Sequence, residues 1–323
     1  MLEDGFGRRF HYLRLSITEI CNFRCNYCLP DGTQCAPDAD YLCVSEIRTL
    51  VSAFARLGTS KIRLTGGEPT LRRDLAKIIE VCSHTPGIER VALTSNAYNL
   101  TRHIDSYAKA GLNAINISAD SLDPAMFAAI TGRNLLDKVL AGVDAALASG
   151  ITTVKLNTVL LKQFNGNEMG RILDYLRDKA LTWRFIELMQ TGDNAAFFKD
   201  NHISGEVIRQ QLLADGWQRI VRERQAGPAL EYQHPDYIGR IGLIMPYSKD
   251  FCASCNRLRV SSSGKLHLCL FADTGFDIRS HLRSGDIDAT CEAIMALMPD
   301  KKASHFLTEG FTGATRQLAM LGG

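Results

Sequence analysis

The chain has no uninterrupted apolar run near the roughly 18 uncharged residues of a membrane helix, and its first twenty residues hold no apolar stretch suited to a signal peptide. It is therefore read as cytosolic. It also lacks a charge bias: 37 basic against 35 acidic side chains leave +2, which excludes a strongly basic nucleic-acid coat but not a local basic site. Low-complexity tracts and fixed-period repeats are absent, arguing against disorder and solenoids. What remains is 323 residues, 46% apolar and 22% charged, enough for one large domain or one domain with an annex. Ten cysteines stand out. In a cytosolic chain persistent disulfides are rare, so clustered thiols point to metal or redox chemistry.

Strand-like stretches recur at 12–18, 61–67, 90–96, 114–120, 153–161 and 183–189, with helix-like segments such as 45–58, 74–84, 102–111 and 135–150 between them. This alternation predicts a parallel α/β sheet with right-handed crossovers, either an open sheet or a barrel that does not fully close. Residues 191–202 read as irregular and 205–216 as helical, with a strand-like 240–246, so a second module is placed at 201–323 after a first at 1–200.

Side chains alternate across a strand. Arg14, Ser16 and Thr18 thus share one face and Leu13, Leu15 and Ile17 the other. The same split sets Lys61, Arg63 and Thr65 against Ile62 and Leu64, and Thr94 and Asn96 against Leu93. Asn116, Ser118 and Asp120 oppose Ile115 and Ile117, and Lys155 and Asn157 oppose Val154 and Leu156. A parallel sheet covered on both sides is normally apolar on both. One polar, cationic face means either a solvent-facing sheet or a wide lumen holding a polar anion.

Cys21, Cys25 and Cys28 form C-x3-C-x2-C directly after the first strand. Three thiolates can hold three irons of a four-iron cluster and leave the fourth open, as a catalytic metal site requires. A zinc knuckle completed by Cys35 is the alternative. Cys252, Cys255 and Cys269 form C-x2-C-x13-C, which reads equally as a zinc ribbon completed by His267 or His281. Beside it, Arg257 and Arg259 alternate along a strand, where guanidinium forks could grip phosphates. Outside these two sets, Cys35, Cys43, Cys82 and Cys291 read as packing residues, Cys82 and Cys291 within helical patterns.

With Tyr27 before the third cysteine and GGEP at 66–69, the first motif resembles the radical S-adenosylmethionine (SAM) superfamily. Taken alone, GG often marks only a tight turn. Adding NISADSLD (116–123), RFIELMQTG (184–192), CxxCxRxR with its third cysteine and the terminal Gly322-Gly323, the whole chain resembles the GTP 3′,8-cyclase family of molybdenum-cofactor biosynthesis. The resemblance implies an incomplete (β/α)6 TIM-like barrel with a C-terminal annex, and two [4Fe-4S] clusters held by Cys21, Cys25 and Cys28 and by Cys252, Cys255 and Cys269. It implies SAM contacts at Tyr27, Gly67, Ser118 and Met189. It implies GTP contacts at Arg14, Arg63, Thr94, Lys155, Arg257, Leu258 and Arg259, and a tail that reaches the active site. GTP would be the substrate, a low-potential donor such as flavodoxin the reductant, and cyclic pyranopterin monophosphate synthase the consumer of the product; a homodimer is compatible with it, whereas membrane and nucleic-acid partners are not implied. The family usually has glycine after the asparagine of TSNA (94–97), where this chain has Ala97. The competing readings are a peptide-modifying radical SAM enzyme and a non-catalytic zinc or RNA-binding protein.

Overall fold

The computed structural model describes residues 1–33, 40–221, 227–314 and 318–321. Cys35 and the Gly322-Gly323 end lie outside them. Six parallel strands form an arc: β1 (Tyr12–Ser16), β2 (Lys61–Thr65), β3 (Arg90–Ser95), β4 (Ala114–Ser118), β5 (Thr153–Leu160) and β6 (Thr182–Glu187). The crossovers carry α1 (Val44–Arg56), α2 (Leu75–Ser83), α3 (Ile104–Lys109), α4 (Pro124–Thr131), α5 (Leu136–Ala148) and α6 (Met169–Leu176). Local chemistry starts and stops them. At α1 the Cys43 N–H donates to Glu46 Oε2 at 2.8 Å, while Ile47, Leu50, Val51 and Phe54 bury one stripe. Asp123 caps α4 by accepting from the N–H groups of Ala125 and Met126, Pro124 opens it, and Gly132 closes it at φ 68°.

The arc does not close on itself. After α7 (Ala195–Asn201) and α8 (Gly205–Ala214), the chain adds β7 (Gln218–Arg219), β8 (Leu230–Gln233) and β9 (Arg240–Ile244) beyond β6. It then crosses to the other edge and adds β10 (Arg257–Val260), β11 (Lys265–His267) and β12 (Phe276–Asp277) beyond β1, before α9 (Arg279–Ser284) and α10 (Ile287–Leu297). Residues after 200 therefore extend both edges of one twelve-stranded sheet. The sequence pattern showed 191–202 as irregular, yet α7 lies within it. Seven residues are too few to display a helical period, and Phe197 and Phe198 fix the turn by packing against Ile130, Leu161 and Leu188.

The outward faces of the strands, such as Leu13, Leu15, Ile62, Leu64, Ile115 and Leu156, join the core under the helices. The polar faces are not solvent-exposed either: Ser16, Arg63 and Asn116 retain 1%, 5% and 6% of their exposure. The solvent-facing alternative is thereby set aside, and the alternation lines a lumen. Two register rows cross it, Arg259–Arg14–Arg63 on β10, β1 and β2, and Thr94–Asn116–Lys155–Thr182–Arg240 from β3 to β9.

Candidate active site

The first thiol cluster sits on the loop leaving β1, pinned from below by the 66–69 loop. The Gly67 N–H donates to Thr18 O at 2.9 Å and the Glu68 N–H to Ile20 O at 2.7 Å. The two glycines serve close approach as well as turning: a Cβ on Gly66 would lie 2.3 Å from Thr18 O, and one on Gly67 2.2 Å from Ile20 O. The buried Glu68 carboxylate accepts from Thr70 N, Thr70 Oγ1, Ser95 Oγ and Asn96 N at 2.6–3.0 Å, tying the tops of β2 and β3 together. Asn96 reaches on to Asn22 Oδ1 at 2.9 Å, inside the cysteine loop. Opposite, the Tyr27 hydroxyl donates to Asp120 Oδ2 at 2.8 Å. Burial pushes Cys21 up to about 11 and Cys28 up to about 12. Cys25 rises through burial and then through Asp120 and the two neighbouring thiols. Three mutually interacting thiols on one loop fit a thiolate-bound cluster, whose positive irons offset that cost.

The second set has the opposite electrostatics. Burial acts to raise Cys252, but hydrogen bonding from His305 brings it down to about 7. Burial likewise opposes ionisation of Cys255, yet Arg257 and Lys301 lower it; burial raises Cys269. Arg8 clamps this loop, donating from Nη1 to Cys252 O at 3.2 Å and Ala303 O at 2.7 Å. Soft thiols beside cations again fit a thiolate-bound cluster. Among the described residues no three His, Cys, Asp or Glu side chains close on a single ion, and His267 and His281 complete no such group.

The C-terminal turn Leu318–Leu321 joins the two sets. Leu318 and Leu321 pack with Leu270, Phe271 and Leu307, and Tyr27, Cys28, Met189 and Cys269 pack against the same cluster. Arg259 Nη1 donates to Leu321 O at 3.1 Å, and the main chain of Ala319 hydrogen-bonds to the Cys28 thiol.

Below this mouth the lumen is cationic. Arg63 Nη1 donates to Thr94 Oγ1 at 3.2 Å and its Nε to the Tyr12 hydroxyl. Arg14, half-buried, faces Arg259, Arg63 and Arg257. Although burial opposes it, Arg63, Arg14 and Lys61 draw the Tyr12 phenol down to about 7. A cavity of about 440 Å³ opens at the N-terminal ends of the strands, where Lys61, Arg90, Thr153, Thr182 and Arg240 begin β2, β3, β5, β6 and β9. Arg63, Lys155, Arg184 and Glu231 line it too. Arg184 Nε and Arg257 Nη1 are buried with no acceptor among the described residues, as suits donors that meet an anion.

Tyr27, Gly67, Ser118 and Met189 thus ring the C-terminal mouth, on the β1 loop and beyond or at the ends of β2, β6 and β4. Arg14, Arg63, Thr94, Lys155, Arg257 and Arg259 occupy polar-face positions. Leu258 is in register with Leu13 and buried in the apolar core, so its main chain is the part that can face a ligand. The sequence pattern missed Arg184, Tyr12 and Glu231 and gave Lys61 no role. Alternation puts Lys61 and Arg184 on the polar face; Glu231 carries no such signal.

A partial barrel with three thiols at the C-terminal end of its first strand defines the radical SAM class, and the Radical SAM superfamily model matches residues 15–176. The Molybdenum Cofactor Synthesis C model matches 181–307. The GTP 3′,8-cyclase of Psychromonas ingrahamii is 51% identical over 323 residues, covering 100% of this chain and 95% of its own. That of Vibrio vulnificus is 52% identical, covering 99% and 97%. Among solved structures, SuiB of Streptococcus suis bound to S-adenosylmethionine superposes with a TM-score of 0.63 at 13% identity, covering 90% of this chain and 68% of its own, which bears on the fold alone. The chain belongs to the GTP 3′,8-cyclase family. Membership carries SAM and [4Fe-4S] clusters with it and sets aside the peptide-modifying and zinc or RNA-binding readings.

Proposed function

We propose that this chain is a lyase-type enzyme that converts GTP into its isomer 3′,8-cyclo-7,8-dihydro-GTP, the first step of molybdopterin formation. One observation carries the reading: a cation-lined cavity, with Arg63 and Arg184 buried in its wall, belongs to the same sheet whose strands β1 and β10 are flanked by the two three-thiol sets. Cys21, Cys25 and Cys28 hold the cluster that binds SAM, with Tyr27, Gly67, Ser118 and Met189 around the cofactor. Cys252, Cys255 and Cys269 hold the second cluster. When bound, SAM and its cluster would supply the chemistry that takes hydrogen from C3′ of the ribose. The chain's own part is placement. Lys155 and Arg63 anchor the triphosphate, Thr94 and Arg14 fix the middle of the nucleotide, and the Arg257–Arg259 strand orients the purine, so that C3′ faces the radical source. The Leu318–Leu321 turn covers the space between the clusters and excludes water.

Because SAM is consumed to methionine and 5′-deoxyadenosine, the reaction takes up two electrons and one proton in all, the electrons coming from a low-potential donor such as flavodoxin, and a cyclic pyranopterin monophosphate synthase consumes the product. We place the enzyme in the cytoplasm; no described helix is long and apolar enough to cross a membrane. A homodimer and a functional division near 200/201, with SAM chemistry before it and the second cluster after it, belong to the same reading. Lys155→Ala and Arg257→Ala test it: each is expected to abolish nucleotide product while SAM cleavage stays measurable. Equal loss of both activities would count against the assigned roles.

A further inference from the structure

The cation-lined cavity contains one acid among its described lining residues, Glu231 on β8. Its Oε1 accepts from Lys155 Nζ at 2.8 Å and from Arg184 Nη2 at 2.9 Å. An acid inside an anion site repels the anion it is meant to admit, so its contribution must come through the cations it holds. The sheet is built to bring them together. Arg184 on β6, Gly242 on β9 and Glu231 on β8 are in register across three adjacent strands. A Cβ on Gly242 would lie 2.9 Å from Arg184 Cγ. The missing side chain is what lets the arginine lie across β9 and reach the carboxylate.

We propose that Glu231 is a positioning residue for nucleotide binding, which holds the Lys155 ammonium and Arg184 guanidinium charged and side by side across Gly242 and releases both to the triphosphate. The inference rests on the reading of this cavity as the triphosphate site. Among the described residues the other charged groups lining the cavity are cations, Lys61 and Arg63 from β2, Arg90 from β3 and Arg240 from β9, and β1 adds the Tyr12 phenol beside Arg184. In that company burial, followed by Arg184, brings Lys155 down to about 8, while Glu231 raises it by charge and by hydrogen bond. Without the carboxylate both raising influences vanish. Lys155 then loses its proton at a lower pH and its side chain is free to swing away from the arginine.

The test compares the cluster-loaded full chain with E231Q, E231D and G242A, using anaerobic equilibrium dialysis of GTP and of guanosine from about pH 6.5 to about pH 9. Iron content and circular dichroism verify that each variant is folded. E231Q is expected to weaken GTP about tenfold near neutral pH, to leave guanosine unchanged, and to move the fall in GTP affinity to lower pH. KM for GTP should rise with kcat nearly unaltered. E231D should restore part of the affinity and G242A should reproduce part of the loss. GTP binding by folded E231Q equal to or tighter than wild type, with an unmoved pH profile, overturns the proposal alone. A wild type that binds guanosine as well as GTP overturns the triphosphate reading and the proposal with it.

Discussion

Gly67 lies directly against the main-chain carbonyl of Ile20, where a single added methyl would stand 2.2 Å from the oxygen. Backbone meets backbone there, so no flexible side chain can give way. Gly67→Ala must displace the loop that carries Cys21, at a cost of about 1–3 kcal/mol. The second thiol set is anchored separately, through Arg8. Iron bound per chain is therefore expected to fall by about half, with SAM binding lost, as iron assay and dialysis would record. Full iron content would show that the loop tolerates the methyl.

Triphosphate binding should be pH-dependent on the basic side. Burial leads the causes that lower Lys61 and Lys155 to about 8; with the triphosphate in the cavity that both line, as proposed, a bound phosphate would raise both again. Above about pH 8 the complex then holds more protons than the free protein, so affinity falls as pH rises, by up to about tenfold per unit per lysine. Dialysis of GTP from about pH 7 to about pH 9.5 checks the sign. A flat profile contradicts it.

Leu321 is buried between the two thiol sets, and its carbonyl accepts from Arg259. Leu321→Ala gives up much of the roughly 1.5–3 kcal/mol that burying a leucine contributes. Product formation should drop about tenfold while iron content holds, because the cysteine loops have other anchors. Limited proteolysis should find the C-terminal turn cut faster.

Ala97 adopts φ 57° and is fully buried, a left-handed conformation that costs a non-glycine residue about 1–2 kcal/mol. Its Cβ and carbonyl would lie 3.1 and 3.0 Å from a Cβ on Gly142 of α5. Ala97→Gly relieves the backbone but removes a buried methyl worth about 0.8 kcal/mol, so alone it changes little. Gly142→Ala should destabilise by about 1–3 kcal/mol. The double variant should be less destabilised than the sum, by about 0.5 kcal/mol or more in urea unfolding. Simple additivity would show that the two sites do not touch.

The lumen was legible in the sequence because alternation is a property of each strand by itself: Arg14, Arg63 and Asn116 could be placed on one face without knowing their neighbours. The cysteine loops were legible because their spacing is local. Pairing between distant segments was not. Nothing in LEYQ (230–233) signals that Glu231 meets Lys155 and Arg184, because the contact depends on β8 joining β6 through Gly242. Nor could spacing show that β9 and β10 extend opposite edges of one sheet. The GG of 66–69 could be seen as a turn, whereas its approach to the β1 loop required both backbones in place.

The proposed reaction requires one site to join SAM chemistry to C3′ of GTP. The most direct measurement incubates the reduced, cluster-loaded protein anaerobically with SAM and GTP deuterated at C3′, then weighs the 5′-deoxyadenosine and the nucleotide. Deuterium is expected in the 5′-deoxyadenosine, together with a cyclised nucleotide that has lost it. Unlabelled 5′-deoxyadenosine with GTP recovered intact would contradict it.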